Sequence, residues 1–288
     1  MTVARTRLRF SRLRFSTGRL VTFIAAAMLA AAFVMPMLYA VLSSVKPLEE
    51  ITRVPLQWLP ESLASLRFSN FTEPMARANF ARYLANSMFV SGTVTISSVV
   101  FCTMAGYSLS KFSYFGRDTF FMLILITLMI PLEVVFIPML IIVRELGMNN
   151  SYWGLIVPVM ITPFGVFWMR QFIMTIPDDY AEAARIDGLN EFQIFWRIIF
   201  PMCVPALGAL SIFTFMSNWN SLIWPLIVAT RQDLWTIPVG LVAFESEFAR
   251  PLNYIFAMAV VAVLPTVVLF AFLRRRLLSG IAMVGIKG

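Results

Sequence analysis

Histidine is missing from this chain of 288 residues. Its absence removes the imidazole general base, the histidine metal ligand and the middle member of a Ser-His-Asp relay. Cysteine occurs only at Cys102 and Cys203, inside or at the start of apolar runs, where a thiol behaves as a small hydrophobic group. Two such residues make no spaced metal-ligand set and say nothing of redox compartment. The three lysines, Lys46, Lys111 and Lys287, follow Val, Ser and Ile, so there is no G-x-x-x-x-G-K-[ST] phosphate loop. Charge is scarce at 13% of residues, and all but two of the 15 acids fall in loops of ordinary polar composition. An enzyme working with carboxylates alone would have little besides Glu133 and Glu182 to draw on. Catalysis is not expected, which leaves transport, channel and assembly roles.

What fills the chain instead is hydrocarbon. Hydrophobic residues make up 59%, and the mean hydropathy is +0.81. A soluble domain of this size has no use for so little charge, whereas a bilayer core demands segments of about 20 apolar residues. Six such runs stand out: Leu20–Leu42, Leu84–Leu109, Thr119–Val143, Tyr152–Met169, Ile198–Thr230 and Pro251–Leu273. Five carry no Asp, Glu, Lys or Arg, and the third carries only Glu133. Long runs separated by short loops predict an all-α membrane protein with six transmembrane helices, not a barrel of ten-residue strands.

The basic residues orient these spans. Fifteen of the 23 lie on one side: six Arg in the head "MTVARTRLRFSRLRFSTGR", then Lys111, Arg117, Arg170, Arg185, Arg197, and the tail with Arg274, Arg275, Arg276 and Lys287. That side is expected to be cytoplasmic, with both termini on it. The resulting organisation is a basic segment over 1–19, a six-span domain over 20–273 and a tail over 274–288. The positive charge serves orientation and anionic lipid headgroups. With no basic soluble domain, nucleic acid is not an expected partner. The apolar run behind the head is long for a signal peptide and lacks a small-x-small site, so it reads as an uncleaved first span.

One polar stretch interrupts the apolar chain, "YAEAARIDGLNEFQIFWRIIFP" at 180–201. Thr175-Ile-Pro-Asp178 has the spacing of a helix start, and Gly188 suits a helix end. Asn190-Glu-Phe-Gln193 repeats the capping pattern before a second short helix, and Pro201 opens the fifth span. Two short helices joined at Gly188 would form a knob on the cytoplasmic face. Ala181, Ala183 and Ala184 would let another surface approach closely, while Glu182, Arg185 and Asp187 offer charge. On pattern alone, an interfacial amphipathic hairpin fits as well.

Glu182-Ala183-Ala184, Gly188, Ile198 and Phe200-Pro201 stand at the spacing EAA-x3-G-x9-I-x-L-P, with Phe200 in place of Leu. This resembles the EAA motif of permease subunits of bacterial ABC importers. The stretches "NSMFVSGTVTISSVVFCTMAGYSLSKFSYFGRD" and "WNSLIWPLIVA", with the tail "SGIAMVGIKG", are similar to the MalG-like branch of carbohydrate importer permeases. The resemblance implies that Glu182, Ala183, Ala184 and Gly188, with Arg185 and Asp187, couple this chain to a cytoplasmic ATPase dimer. It implies a second permease subunit and an extracytoplasmic solute-binding protein as further partners, and residues 280–288 reaching the ATPase interface. ATP and Mg would then be bound by the partner ATPase and no cofactor by this chain. It also implies a bacterial inner-membrane location.

Two places invite a solute path. Glu133 in "LMIPLEVVFIPML" is flanked by Pro131 and Pro138, and about 21 Å of helix from Thr119 would place it in the outer half of the bilayer. It either faces a cavity or makes a structural hydrogen bond across the bundle. In "SNWNS", Trp219 could stack on a sugar and Asn218 and Asn220 bond its hydroxyls; the alternative is an interfacial aromatic anchor with amides between helices. The external segment 43–83 is either a lid or a contact for the binding protein. The expected function is therefore a sugar importer permease. Alternatives are a permease for glycerol 3-phosphate or another polar solute, and a self-sufficient secondary transporter using Glu133.

Overall fold

The computed structural model describes residues 17–77, 79–247 and 251–284, and every regular element among them is helical. The expected segment 1–19 and the last tail residues therefore lie largely outside the described chain. The first helix, α1 (Thr17–Ser43), is followed by the single turn α2 (Leu48–Ile51) and by α3 (Ser69–Arg77). Next comes α4 (Phe80–Lys111), an unbroken helix of 32 residues. The helices α5 (Arg117–Leu128), α6 (Leu132–Glu145), α7 (Tyr152–Ile156) and α8 (Pro163–Ile173) follow. The polar stretch holds α9 (Asp179–Ile186), α10 (Glu191–Ile194), a π-helical turn over Phe195–Ile199 and α11 (Phe200–Met202). The chain closes with α12 (Val204–Trp219), α13 (Ile223–Val228), α14 (Ile237–Glu247) and α15 (Leu252–Val284).

Three of these helices, within α1, α4 and α15, are long and apolar enough to cross a bilayer unaided. Three further spans exist only as bent pairs: α5 with α6 at 108°, α7 with α8 at 42°, and the α10–α11 segment with α12 at 79°. Counting each bent pair as one span gives six candidate spans, and the third, fourth and fifth are bent where unbroken apolar runs were expected. Proline causes the breaks. It has no N–H to give the preceding turn, and its ring clashes with the carbonyl four residues back. Pro131 stands at the α5–α6 corner, Pro163 opens α8 and Pro205 lies in the first turn of α12. The long apolar helix of the fifth candidate span, α12, therefore starts at Val204, three residues after Pro201. It stops at Trp219, and α13 resumes only after Asn220–Leu222. The last helix runs on past Leu273 to Val284, so most of the expected tail is helical.

Lipid tails are as apolar as leucine, so the bundle is held by close packing and not by burial of grease. None of the apolar stretch of α1 is buried, against 39% of that of α4. The helix α1 lies outside, packed along α15, while α4 runs through the middle against α8 and α12. Small residues allow this. A Cβ on Gly106 of α4 would stand 2.8 Å from the Arg170 backbone nitrogen and 2.9 Å from the Met169 Cβ. A Cβ on Gly165 would meet the Cys102 sulfur at 2.8 Å.

Three apolar clusters make up the interior. An inner one gathers Cys102, Tyr107, Met169, Ile194, Phe195 and Leu210; a second holds Val90, Val94, Phe136, Trp224 and Val228; a third holds Phe80, Tyr83, Phe215, Trp219 and Met258. Among the described helices, α4 alone contributes to all three. In the segment after α1, Lys46 is fully buried and donates to the carbonyls of Gln57 and Trp58 at 2.6 and 2.8 Å. Asn70 ties α3 to the Ser44 and Lys46 carbonyls and accepts from Asn253 of α15 at 2.9 Å. The segment expected to be external is thus a folded cap fixed to the end of α1 and to α15.

Candidate coupling site and solute path

The knob is built from local rules. The helix α9 ends at Ile186 with Asp187 as its C-cap, and Gly188 follows with φ +83°, a conformation that suits glycine. The Leu189 N–H reaches back to the Ala184 carbonyl and the Gly188 N–H to that of Arg185, both at 3.0 Å, which closes the helix end as a Schellman motif does. The next turn opens with a capping box: Gln193 N–H donates to Asn190 Oδ1 at 2.9 Å, and Asn190 N–H to Gln193 Oε1 at 3.0 Å. These two features follow the sequence reading.

The start of the knob does not. Thr175 donates its hydroxyl to the Phe172 carbonyl and caps nothing; Asp178 occupies the cap position of α9 without a side-chain capping bond. Its carboxylate is instead held by the Lys111 ammonium at 2.5 Å. The alanines also divide differently. Ala181 and Ala184 are buried in the chain's own inner cluster, so Ala184 offers no surface to a partner in this arrangement. Glu182, Ala183, Arg185, Asp187 and Gly188 are exposed, and Ile186 projects with 87% of its surface free.

Charge ties the knob inward. Arg185 binds Glu191 at 2.7 Å, and Glu191 accepts the Tyr107 hydroxyl at 2.9 Å. The Arg185 hydrogen bond, aided by that of Tyr107, holds the Glu191 carboxyl below the usual range, and the same pairing pushes Arg185 up. Arg170 donates to the Leu109 carbonyl at 3.2 Å and lies 3.8 Å over the Phe121 ring. The pairings of Tyr107 with Glu191 and of Lys111 with Asp178 were not read from the sequence. The partners stand 84 and 67 positions apart, and no local pattern joins them.

The residues read as a solute path are not gathered into one site. Glu133 sits in the first turn of α6, beyond the 108° corner, so a distance measured along one helix from Thr119 does not apply. It is exposed and has no hydrogen-bond or ion-pair partner among the described residues. Trp219 is buried: its ring stacks on Phe215 at 5.3 Å and its indole N–H donates to the Ala262 carbonyl at 3.0 Å. In this conformation that ring has no free face for a sugar. Asn218 is half-buried and Asn220 exposed, each donating to a carbonyl of its own helix at 2.9 Å.

The family model described as "Binding-protein-dependent transport system inner membrane component" matches residues 98–281, from the middle of α4 through the knob into α15. The chain belongs to this family. Within the family it is 32% identical over 263 residues to the arabinooligosaccharides transport system permease protein AraQ of Halalkalibacterium halodurans, which covers 91% of this chain and 94% of that one. It is 30% identical over 253 residues to the diacetylchitobiose uptake system permease protein NgcG of Streptomyces coelicolor, covering 86% and 82%. With the sn-glycerol-3-phosphate transport system permease protein UgpE of Shigella flexneri it shares 34% over 206 residues, 71% and 73%. Its fold is that of a chain in the crystal structure of a bacterial ABC transporter involved in the import of the acidic polysaccharide alginate. The TM-score is 0.77 at 22% identity, over 91% of this chain and 98% of that one. A chain of the bacterial alginate ABC transporter, solved in complex with alginate pentasaccharide-bound periplasmic protein, matches with a TM-score of 0.61 at 15% identity, over 90% and 96%. The family resemblance drawn from the EAA spacing and the all-α permease fold both stand, with up to six candidate spans.

Proposed function

We propose that this chain is the permease subunit of an importer that carries a sugar, or a short oligosaccharide, delivered by an extracytoplasmic binding protein. The observation that carries the reading is the exposed EAA knob at 182–188, a built and braced polar projection on a family member's bundle. A cytoplasmic ATPase pair, binding ATP and Mg, docks on that knob and alternates the bundle between two packings. A second permease subunit completes the membrane part, and both termini lie in the cytoplasm. Glu182, Ala183, Arg185, Asp187 and Gly188 form the outward docking face, and Ala184 supports it from within. Asn218, Asn220 and Glu133 lie nearest the solute, with Trp219 buttressing the helix that carries the amides.

The sugar assignment draws on the names of AraQ and NgcG and on apolar runs whose only acid or base is Glu133. Glycerol 3-phosphate is the second reading, favoured by the likeness to UgpE. A phosphate path needs cations, and the six apolar runs of the sequence supply none.

Gentle extraction of the tagged chain from its own membrane, with mass spectrometry of what accompanies it, tests the reading. An ATPase subunit and a second permease should co-purify. Recovery of the chain alone in several mild detergents would favour a self-sufficient carrier built around Glu133.

A further inference from the structure

The knob joins the rest of the chain covalently at two places, and neither is a straight helix. On one side α8 ends at Ile173 and the chain turns through Met174–Asp178; on the other the π-helical turn Phe195–Ile199 leads to the 79° bend before Val204. A bent joint transmits an axial push poorly, and π-turns mark places where a helix gives.

Its side-chain attachments converge on one helix. Tyr107 and Lys111 are four residues apart on α4 and so share a face. Lys111 donates to the Ile176 carbonyl and the Asp178 carboxylate, which holds the start of α9. Tyr107 donates to Glu191 in the first turn of α10, and Glu191 holds Arg185 in the last turn of α9. The Tyr107 ring also packs on Phe195 at 5.7 Å between centroids. Both short helices are thus fastened to the inner end of α4.

The helix they are fastened to is built as a rod. It has 32 residues, no internal proline and a length of about 48 Å. Its far end is fastened as firmly. Asn86 donates to the Asp233 and Trp235 carbonyls at 2.9 and 2.8 Å and accepts the Tyr152 hydroxyl at 2.7 Å. Ser87 Oγ accepts the Ile237 N–H at 2.8 Å. These bonds hold the loop before α14 on the outer face.

We infer that α4 is the element through which displacement of the knob reaches the outer face, with Tyr107 and Lys111 as the inner latch and Asn86 and Ser87 as the outer one. Tyr107 and Lys111 act through Glu191 and Asp178 and are positioning residues. The inference rests on the importer reading above. What it adds is the route: knob and α4 move as one body, and the motion appears between that body and the peripheral spans.

Pulsed electron-spin distance measurements on the complex extracted from its own membrane test this. Nitroxides are placed on Ile186→Cys in the knob, Met88→Cys on outer α4, and Phe33→Cys on α1, all exposed positions. Cys102 and Cys203 are buried, and a control with both replaced by Ala checks that neither takes label. On trapping with ATP, Mg and vanadate, the knob–α1 distance should shift, on the order of a helical turn or less, while the knob–α4 distance holds. In Tyr107→Phe/Lys111→Met the knob–α4 distribution should broaden and the knob–α1 shift shrink. A knob–α4 distance that changes in the parent chain as much as the knob–α1 distance overturns the inference without touching the importer reading. No change in any pair on trapping removes the ATP-driven reading itself, and the inference with it.

Discussion

The Tyr107 hydroxyl meets the Glu191 carboxylate at 2.9 Å, joining the inner end of α4 to the second helix of the knob across 84 positions of sequence. Arg185 holds the same carboxylate from the first helix, so one acid fastens three elements. Its proton affinity is depressed mainly by Arg185, and the sign of the pH effect follows. A carboxyl whose folded value lies below its unfolded one contributes fully above the ordinary glutamate value of about 4.3, and loses that contribution as pH falls through the folded value. The thermal midpoint of Glu191→Gln should therefore trail the parent at neutral and mildly acidic pH, and the gap should close only in stronger acid. A gap that widens on acidification would contradict the assignment.

Gly188 carries the turn between α9 and α10. Its φ of +83° costs an L-residue about 1–2 kcal/mol, and no atom lies within 4 Å of an added Cβ, so backbone strain is the whole penalty. Gly188→Ala should lower the unfolding midpoint, and Gly188→Asn, which tolerates this region better, should lower it less. Equal midpoints for both would show that the turn relaxes.

Much of this was legible in the sequence because it is local. The six apolar runs, the Gly188 helix end and the Asn190–Gln193 capping box are each set by residues within a few positions of one another. The breaks in the third, fourth and fifth candidate spans were marked by Pro131, Pro163 and Pro205, but unbroken hydrophobicity hid them. Apolarity says a segment can sit in lipid and not that it is straight. The facing of the alanines could have been read: Ala181 and Ala184 are three apart and share a helical face opposite Glu182. The latch could not. Lys111 with Asp178 and Tyr107 with Glu191 meet only through the tertiary fold, and each residue alone looks like an ordinary end of a span.

Packing of α4 on α8 depends on Gly106. A valine there would press on the Met169–Arg170 backbone, 2.8 to 3.0 Å away, which cannot retreat as a flexible side chain would. Overpacking of this kind costs about 1–3 kcal/mol. Gly106→Val should lower the denaturant midpoint of the purified chain, with Gly106→Ala between it and the parent. An unchanged midpoint would show that the two helices part freely.

Lys46 organises the outer cap. Burial pushes its ammonium below the usual lysine range against the pull of Glu50, yet its proton positions bind the Gln57 and Trp58 carbonyls. Lys46→Met keeps the apolar stem and strands those carbonyls, a loss of about 1–3 kcal/mol. The segment 52–66 should then be cut faster by an added protease, while the knob at 182–188 keeps its protection. Equal cutting rates would show that the loop is held by other contacts.

The central claim is that energy enters this permease through the knob at 182–188, and its most direct test is a contact measurement. A photo-crosslinking amino acid at Ile186, 87% exposed at the end of α9, is activated in the native membrane and the adduct identified by mass spectrometry. The expected product is an adduct with a nucleotide-binding ATPase subunit, absent when the same probe replaces Ile137 on α6. Adducts with lipid alone at Ile186, in membranes where the chain supports uptake, would contradict the claim.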